Sequence, residues 1–233
     1  RFIYNDKEIK DNELANLLTE VEKANGGEQI TFFEILTAAF FFGCKKYKQN
    51  LTICEFGLFA RYDAVNVLKK NVANIVTSCG LDHLDWLPKN EQNIERIIFE
   101  KTSNLLNSNI IVAKQNSSKI IECIKKNIYN NSANKFFYGE DYSYSLKENN
   151  FLYYEDKYGG IKLPTPNVIG NFQLENISTA IATLRNLKDF KILDKHIIKG
   201  ITKIKSLARL QEITEGKIKN LSKNNRVYID GSH

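Results

Sequence analysis

The sequence predicts an α/β fold: a mostly parallel sheet flanked by helices, a small antiparallel excursion, and the start of a second α/β domain near the C-terminus. Three observations carry that prediction. Runs rich in Val, Ile and Thr at residues 51–54, 74–78 and 110–113 are bounded by polar residues and Gly, the pattern of buried strands. Amphipathic stretches of helical length alternate with them, as crossover helices do over a parallel sheet. Between residues 136 and 163 the pattern changes to short aromatic-rich runs punctuated by Gly139 and by Gly159 and Gly160, which reads as an antiparallel excursion.

Taken in order, residues 1–4 read as a strand end followed by a polar turn at 5–7. Asp11 precedes a helix with Leu14, Leu17, Leu18 and Val21 on one face, closed by Gly26 and Gly27. Thr31 can cap the next helix, with Glu34 as its capping-box partner. That helix runs through Phe33, Leu36, Phe40 and Phe41 to about Tyr47, and its nearly all-round apolar character predicts burial against the sheet. After the first two strands come helices over 94–106 and 117–129, separated by the strand at 110–113. Pro164 and Pro166 bracket an extended link, and helices follow over 174–187 and 194–204. Residues 207–216 read as a connector, and 226–229 as a strand ending in Asp-Gly-Ser-His.

A chain of 233 residues with 42% hydrophobic residues can bury one good core. It starts at Arg1 and contains no Met, so we read it as a piece of a longer protein. The net charge of +6 is spread along the chain and forms no basic stripe with interleaved aromatics, which argues against a nucleic-acid face. Cys44, Cys54, Cys79 and Cys123 show no C-x-x-C spacing and read as reduced, buried thiols. The longest apolar block, 32–42, is too short to span a bilayer, which takes about 20 residues. These features together read as a cytoplasmic protein with no membrane partner.

If 51–54 and 74–78 are parallel neighbours, Glu55 and His83 face one crevice at the carboxyl edge of the sheet, where such sheets bind ligands. Alone, Glu55 reads as a solvated carboxylate and His83 as a loop histidine bonded to a neighbour. Together they favour a metal site, and the residue types alone point to Mn²⁺ or Zn²⁺, because Mg²⁺ prefers oxygen. Arg61 and Asp63 could touch an anionic substrate or simply pair with each other. Lys101 sits mid-helix, where a lysine is normally solvated. Gln173 and Asn176 flank a helix start, a place for phosphate or for ordinary capping.

The spacing then meets a family. The segment E-F-G-L-F-A-R-Y-D-A-V-N-V from Glu55 resembles the E-V-G-L-G-G-R-L-D-A-T-N-V of folylpolyglutamate and dihydrofolate synthases, in the Mur ligase superfamily. T-S-C-G-L-D-H, ending at His83, resembles their T-S-I-G-x-D-H, and T-F-F-E from Thr31 their T-x-F-E. Glu100 and Lys101 are similar to the start of E-K-A-G. G-N-F-Q-L-E-N from Gly170 resembles G-x-H-Q-x-x-N, with Phe172 at the histidine. Ala208-Arg209-Leu-Gln resembles the G/A-R-x-Q before the second domain, and Asp230-Gly-Ser-His233 its D-G-A-H.

The resemblance implies a Mur ligase-like ATPase domain over 1–207, and a linker with the start of a C-terminal glutamate-ligase domain over 208–233. It implies an ATP-dependent amide ligase joining L-glutamate to dihydropteroate or folates, with Mg²⁺ and a monovalent cation as an optional companion, acting as a monomer on small molecules. Glu55 and His83 would hold Mg²⁺, and Lys101 would be carbamylated. Thr31, Phe32, Phe33 and Glu34, with Arg61, Tyr62, Asp63 and Ala64, would line the substrate pocket. Asn176, Arg209 and Asp230, with Gln173 and His233, would hold ATP. The alternatives are another Mur-type amino-acid ligase and a non-catalytic nucleotide- or folate-binding paralogue. The family's phosphate loop, G-T-N-G-K-G-[ST], is not in this sequence and would lie upstream, so this stretch alone would be inactive. Phe59 and Ala60 replace a glycine pair that lets a backbone approach its ligand.

Overall fold

The computed structural model describes residues 2–5, 7–47, 51–147 and 151–231. The chain divides into two compact units, Arg1–Lys69 and Lys70–His233. The 207/208 division expected above falls inside the second.

In the first unit, β1 (Ile3–Tyr4) pairs antiparallel with β2 (Lys7–Glu8). Helix α1 (Asp11–Asn25) buries Leu17 and ends at Gly26, whose φ of 64° is the left-handed conformation that lets the chain turn away. Helix α2 (Phe32–Cys44) packs on α1 and starts at Thr31 in the expected capping box. Tyr4 anchors the hairpin to α2: its hydroxyl donates to the Phe40 carbonyl at 2.9 Å, and its ring stacks on Phe40 and Tyr47. The expected burial of α2 against a sheet is not met. Of its residues only Ala39 and Gly43 are buried, while Phe32 and Phe33 are 78% and 49% exposed. Helix α1, the hairpin and the short turn Ala64–Val67 all pack on α2 and still leave most of it half-exposed, so an apolar circumference here does not mean an enclosed helix.

A second expectation fails at 51–54. This run forms no strand, and Ile53 is 84% exposed. Propensity cannot make a strand without a neighbour to complete its backbone hydrogen bonds. Glu55 therefore does not sit at the tip of a strand paired beside 74–78.

The second unit is built on a three-stranded parallel sheet in the order β3 (Ala73–Val76), β4 (Asn109–Val112), β5 (Lys135–Phe137). Phe136 and Phe137, read above as part of the antiparallel excursion, belong to this sheet. Side-chain alternation separates its two faces. Ile110, Val112 and Phe137 pack with Val76 on Ile98 of α3 (Ile94–Thr102) and Ile124 of α4 (Ser118–Asn127). Ile111 and Phe136 pack the other way, on Ile177 and Ile181 of α5 (Asn171–Arg185). The same core takes in Leu152, Tyr154, Ile161 and Leu163 from an antiparallel sheet of β6 (Tyr142–Lys147), β7 (Phe151–Asp156) and β8 (Gly159–Leu163), and Ile197 and Ile201 from α6 (Asp194–Ile201). The result is an α/β fold with a parallel sheet between helices plus antiparallel sheets.

Two polar devices tie these layers. Tyr142 lies at the start of β6 and donates to the Val112 carbonyl at 3.0 Å, with Thr179 of α5 3.2 Å from its hydroxyl. Burial pushes its pKa up to about 12. Asn74, 8% exposed, donates to the carbonyls of Leu106 and Ser108 and so holds the entry to β4 against β3.

The predicted helix over 94–106 stops at Thr102, and that over 117–129 at Asn127. The predicted connector contains β9 (Gln211–Glu212), which pairs antiparallel with β10 (Tyr228–Ile229); α7 (Lys217–Ser222) lies between them. Of the four free cysteines, Cys79 alone is buried. Among the described residues no helix is long and apolar enough to cross a membrane.

Ile111, 0% exposed at the centre of the larger core, is a sensitive probe of this packing. Ile111→Ala should lower the unfolding free energy by about 2–5 kcal/mol. Urea denaturation should show this as a lower midpoint with an unchanged slope.

Candidate active site

In the first unit, two of the predicted substrate segments lie side by side. Thr31 donates from its hydroxyl and its backbone N–H to Glu34 Oε2 at 2.6 and 2.9 Å, and accepts the Glu34 N–H at 3.2 Å. Glu34 is thus committed to the helix start. Asp63 clamps the neighbouring loop, accepting the N–H groups of Gly57 and Val65, each at 2.8 Å, and caps the short turn Ala64–Val67. The Ala60 carbonyl accepts from the Asn66 side chain at 2.8 Å and from the Asp63 N–H at 3.3 Å. A Cβ placed on Gly57 would lie 3.9 Å from the tip of the Phe33 ring, which brings the loop against the start of α2. The Arg61 guanidinium stacks 4.7 Å from the centre of the Tyr62 ring. Phe32, Phe33, Phe56 and Tyr62 remain exposed around this cluster, an aromatic surface suited to a planar ring. Glu55 is exposed at its edge.

In the second unit, the loop after β3 carries His83. The residue is left-handed (φ 55°, ψ 29°) and opens the short turn Leu84–Trp86. Asp82 fixes it from two sides, accepting the His83 N–H at 2.8 Å and placing Oδ2 3.3 Å from Nε2. Lys101 lies in the last turn of α3, half-buried. Burial pushes the Cys79 thiol up, and the charge of Lys101 pulls it partly back. Gln115, which carried no signal in the sequence, bridges that loop to the end of β4 through its side-chain amide.

The four predicted nucleotide residues among the described ones converge. Gln173, Asn176, Arg209 and Asp230 line one cleft of about 710 Å³ with Phe172, Ser206 and Leu210. It opens at the start of α5, where Gly170 has φ 104° and the Phe172 ring folds back so closely that a Cβ at 170 would lie 2.4 Å from it. Gln173 donates to Ser206 Oγ at 2.8 Å. Asp230 accepts the Leu210 N–H at 2.7 Å, and Arg209 donates to the Gly231 carbonyl at 3.2 Å. Ala208 and Leu210, either side of Arg209, both have positive φ, a left-handed backbone that L side chains rarely adopt. A cation, a carboxylate and amides around a helix start form a set able to hold a phosphorylated ligand with hydroxyl groups. His233 lies outside the described residues.

Among the described residues no three His, Cys, Asp or Glu side chains converge as a complete metal site. The two predicted ligands, Glu55 and His83, fall in different compact units, and the His83 imidazole has the Asp82 carboxylate against it.

No family model matches the chain. The Escherichia coli dihydrofolate synthase/folylpolyglutamate synthase is 28% identical over 217 residues, covering 92% of this chain and 46% of that protein. The Bacillus subtilis protein of the same name is 27% identical over 225 residues, with 88% and 47% covered. The structure of E. coli FolC in complex with DHPP and ADP superposes with a TM-score of 0.81 at 27% identity, covering 98% of this chain and 50% of that one. The chain matches these synthases in both sequence and fold. A Yersinia pestis bifunctional folylpolyglutamate synthase/dihydrofolate synthase complexed with AMPPNP and a Mn ion shares the fold at a TM-score of 0.82 and 23% identity, with 98% and 51% covered. The chain spans about half the length of the curated relatives it matches.

The Glu34 carboxyl is held below its ordinary value near 4.5, first by the Thr31 hydroxyl and then by the Thr31 N–H. A folded value below the unfolded one means a contribution fully present above the unfolded pKa and lost as pH falls through the folded one. Protection of the Thr31 amide from hydrogen exchange, corrected for the intrinsic rate, should therefore decline as pH drops below about 4.5. Glu34→Gln should remove that pH dependence, and its persistence would mean another group caps α2.

Proposed function

We propose that this chain is the central part of an ATP-dependent amide ligase that joins L-glutamate to dihydropteroate or a folate through an acyl phosphate. The observation that carries the reading is the convergence of Gln173, Asn176, Arg209 and Asp230 on one cleft at the start of α5. Four residues from three motifs, 57 positions apart at the extremes, share one cleft, as a common ligand would require.

In this reading residues 1–207 form the ATP- and folate-binding domain, and 208–233 lead into a glutamate-ligase domain. Arg209 neutralises charge on the phosphates, Asp230 accepts from ribose hydroxyls, and Asn176 and Gln173 orient the nucleotide. Phosphoryl transfer to a carboxylate is governed by positioning and by charge on the transferred oxygens, and an arginine aimed into the cleft meets that demand. A divalent cation, assigned by motif to Glu55 and His83, supplies further neutralisation when bound. The Lys101 ammonium first gives up a proton, and the neutral ε-amine then adds CO₂ with release of a second, exchanging a positive charge for a carbamate anion. The exposed aromatics at Phe32, Phe33 and Tyr62 receive the planar ring of the acceptor, with Asp63 and Ala64 shaping the loop beside them. On the same resemblance the protein works as a cytoplasmic monomer on small molecules.

The burial of Ala60 favours a working enzyme over a non-catalytic paralogue. At 1% exposure its methyl is not presented where a ligand approaches, so of the two glycine replacements only Phe59 bears on the loop surface. Another Mur-type ligase remains the rival, and the acceptor distinguishes the two: dihydropteroate or a folate should support glutamate-dependent ADP release, and cell-wall precursors should not.

Two variants of the intact protein test the assignments. Arg209→Ala should weaken nucleotide binding about 10-fold or more, since it removes a charge-assisted contact. Isothermal titration with a non-hydrolysable ATP analogue measures this, and unchanged affinity would remove the cleft from the reading. Lys101→Ala should lose turnover at least 100-fold and regain part of it with added acetate or propionate; normal turnover without either would sink the carbamate.

A further inference from the structure

Gln115 is 7% exposed, and every hydrogen bond it makes goes to backbone at the carboxyl edge of the parallel sheet. Its Oε1 accepts the Cys79 N–H at 2.9 Å. Its Nε2 donates to the carbonyls of Ala113 at 2.9 Å and Thr77 at 3.2 Å. Both amide hydrogens and the amide oxygen are therefore committed, in one plane, to two segments that would otherwise part. The last backbone rung between them is the Ala113 N–H donating to the Val76 carbonyl at 2.8 Å. Beyond that rung the side-chain amide stands in for a peptide group and continues the pairing into the loop.

The clamped residues, Thr77 and Cys79, lie six and four positions before His83. Cys79 is 2% exposed, so the clamp fixes the buried root of the loop whose far end presents the imidazole. We infer that Gln115 is a positioning residue for the loop 77–83, setting where His83 meets the cation and phosphates of the bound nucleotide. The inference rests on the reading of His83 as a metal ligand. It predicts a specific split. Loss of the clamp should loosen the metal and leave the nucleotide cleft alone, because the cleft is built from α5 and residues 206–231.

The test uses the intact protein, a non-hydrolysable ATP analogue and Mn²⁺ titrated under EPR detection of the unbound ion. Gln115→Met keeps the length and apolar body of the side chain and removes all three hydrogen bonds. Gln115→Glu keeps the acceptor for Cys79 and turns an oxygen toward the carbonyls of Thr77 and Ala113. Both should raise the apparent dissociation constant for Mn²⁺ about 10- to 100-fold, the range for losing a group that orients a metal ligand. Affinity for the analogue without metal should stay within about twofold. In a His83→Ala background Gln115→Met should have no further effect on Mn²⁺, a non-additivity that a merely structural role would not produce. Should Gln115→Met fail to fold, Gln115→Asn, one methylene shorter, carries the same comparison. Mn²⁺ affinity within twofold of wild type in the folded variants overturns the inference while leaving the ligase reading intact. Wild-type protein that holds no Mn²⁺ beyond what the nucleotide itself binds overturns the metal assignment, and the inference with it.

Discussion

A parallel sheet has no tolerance for an uncovered face. Its strands carry apolar side chains on both sides, and each crossover must return over one face or the other. In the second unit Ile110, Val112 and Phe137 go to α3 and α4, and Ile111 and Phe136 to α5. The position of α5 follows from this requirement, and with it the position of the α5 N-terminus, where the candidate cleft opens. The antiparallel sheet lies beyond, sharing the α5 core, and Tyr142 pins it to the end of β4. The packing of the sheet thus decides where the chemistry is placed.

The carboxyl edge is where the ladder runs out and the backbone needs other partners. Gln115 supplies them between the loops that leave β3 and β4. Asp82 does the same locally for His83, and Asp63 for the loop of the first unit. In each case a polar side chain satisfies backbone N–H groups that no ladder reaches. At the cleft, the two residues that flank Arg209 hold positive φ at some cost in backbone energy. Such strain persists where the surrounding contacts, here Asp230 on the Leu210 N–H and Gly231 on the Ala208 carbonyl, over-determine the backbone.

Much of the fold was legible in the chain. The strands near 74 and 110, the helices from Asp11, Thr31, Ile94, Ser118, Asn171 and Asp194, and the antiparallel excursion all followed from periodicity, caps and turn residues acting within a few positions. What was not legible depended on neighbours distant in sequence. Residues 51–54 have the composition of a strand and form none. Helix α2 is apolar all round and yet buries only Ala39 and Gly43. Phe136 and Phe137 look like the hairpins that follow and instead close the parallel sheet.

The candidate site divides along the same line. Local sequence by itself determined the capping box of Thr31 and Glu34, the turn that Asp63 caps, and the motifs that single out His83, Lys101, Gln173, Asn176, Arg209 and Asp230, because each depends on residues close along the chain. Only the tertiary structure decided that Gln173 and Asn176 share a cleft with Arg209 and Asp230, and that Gln115 holds the loop of Cys79. Those relations are distances between segments 20 to 60 residues apart, set by which faces of the sheet the helices must cover, and no pattern within one segment encodes them.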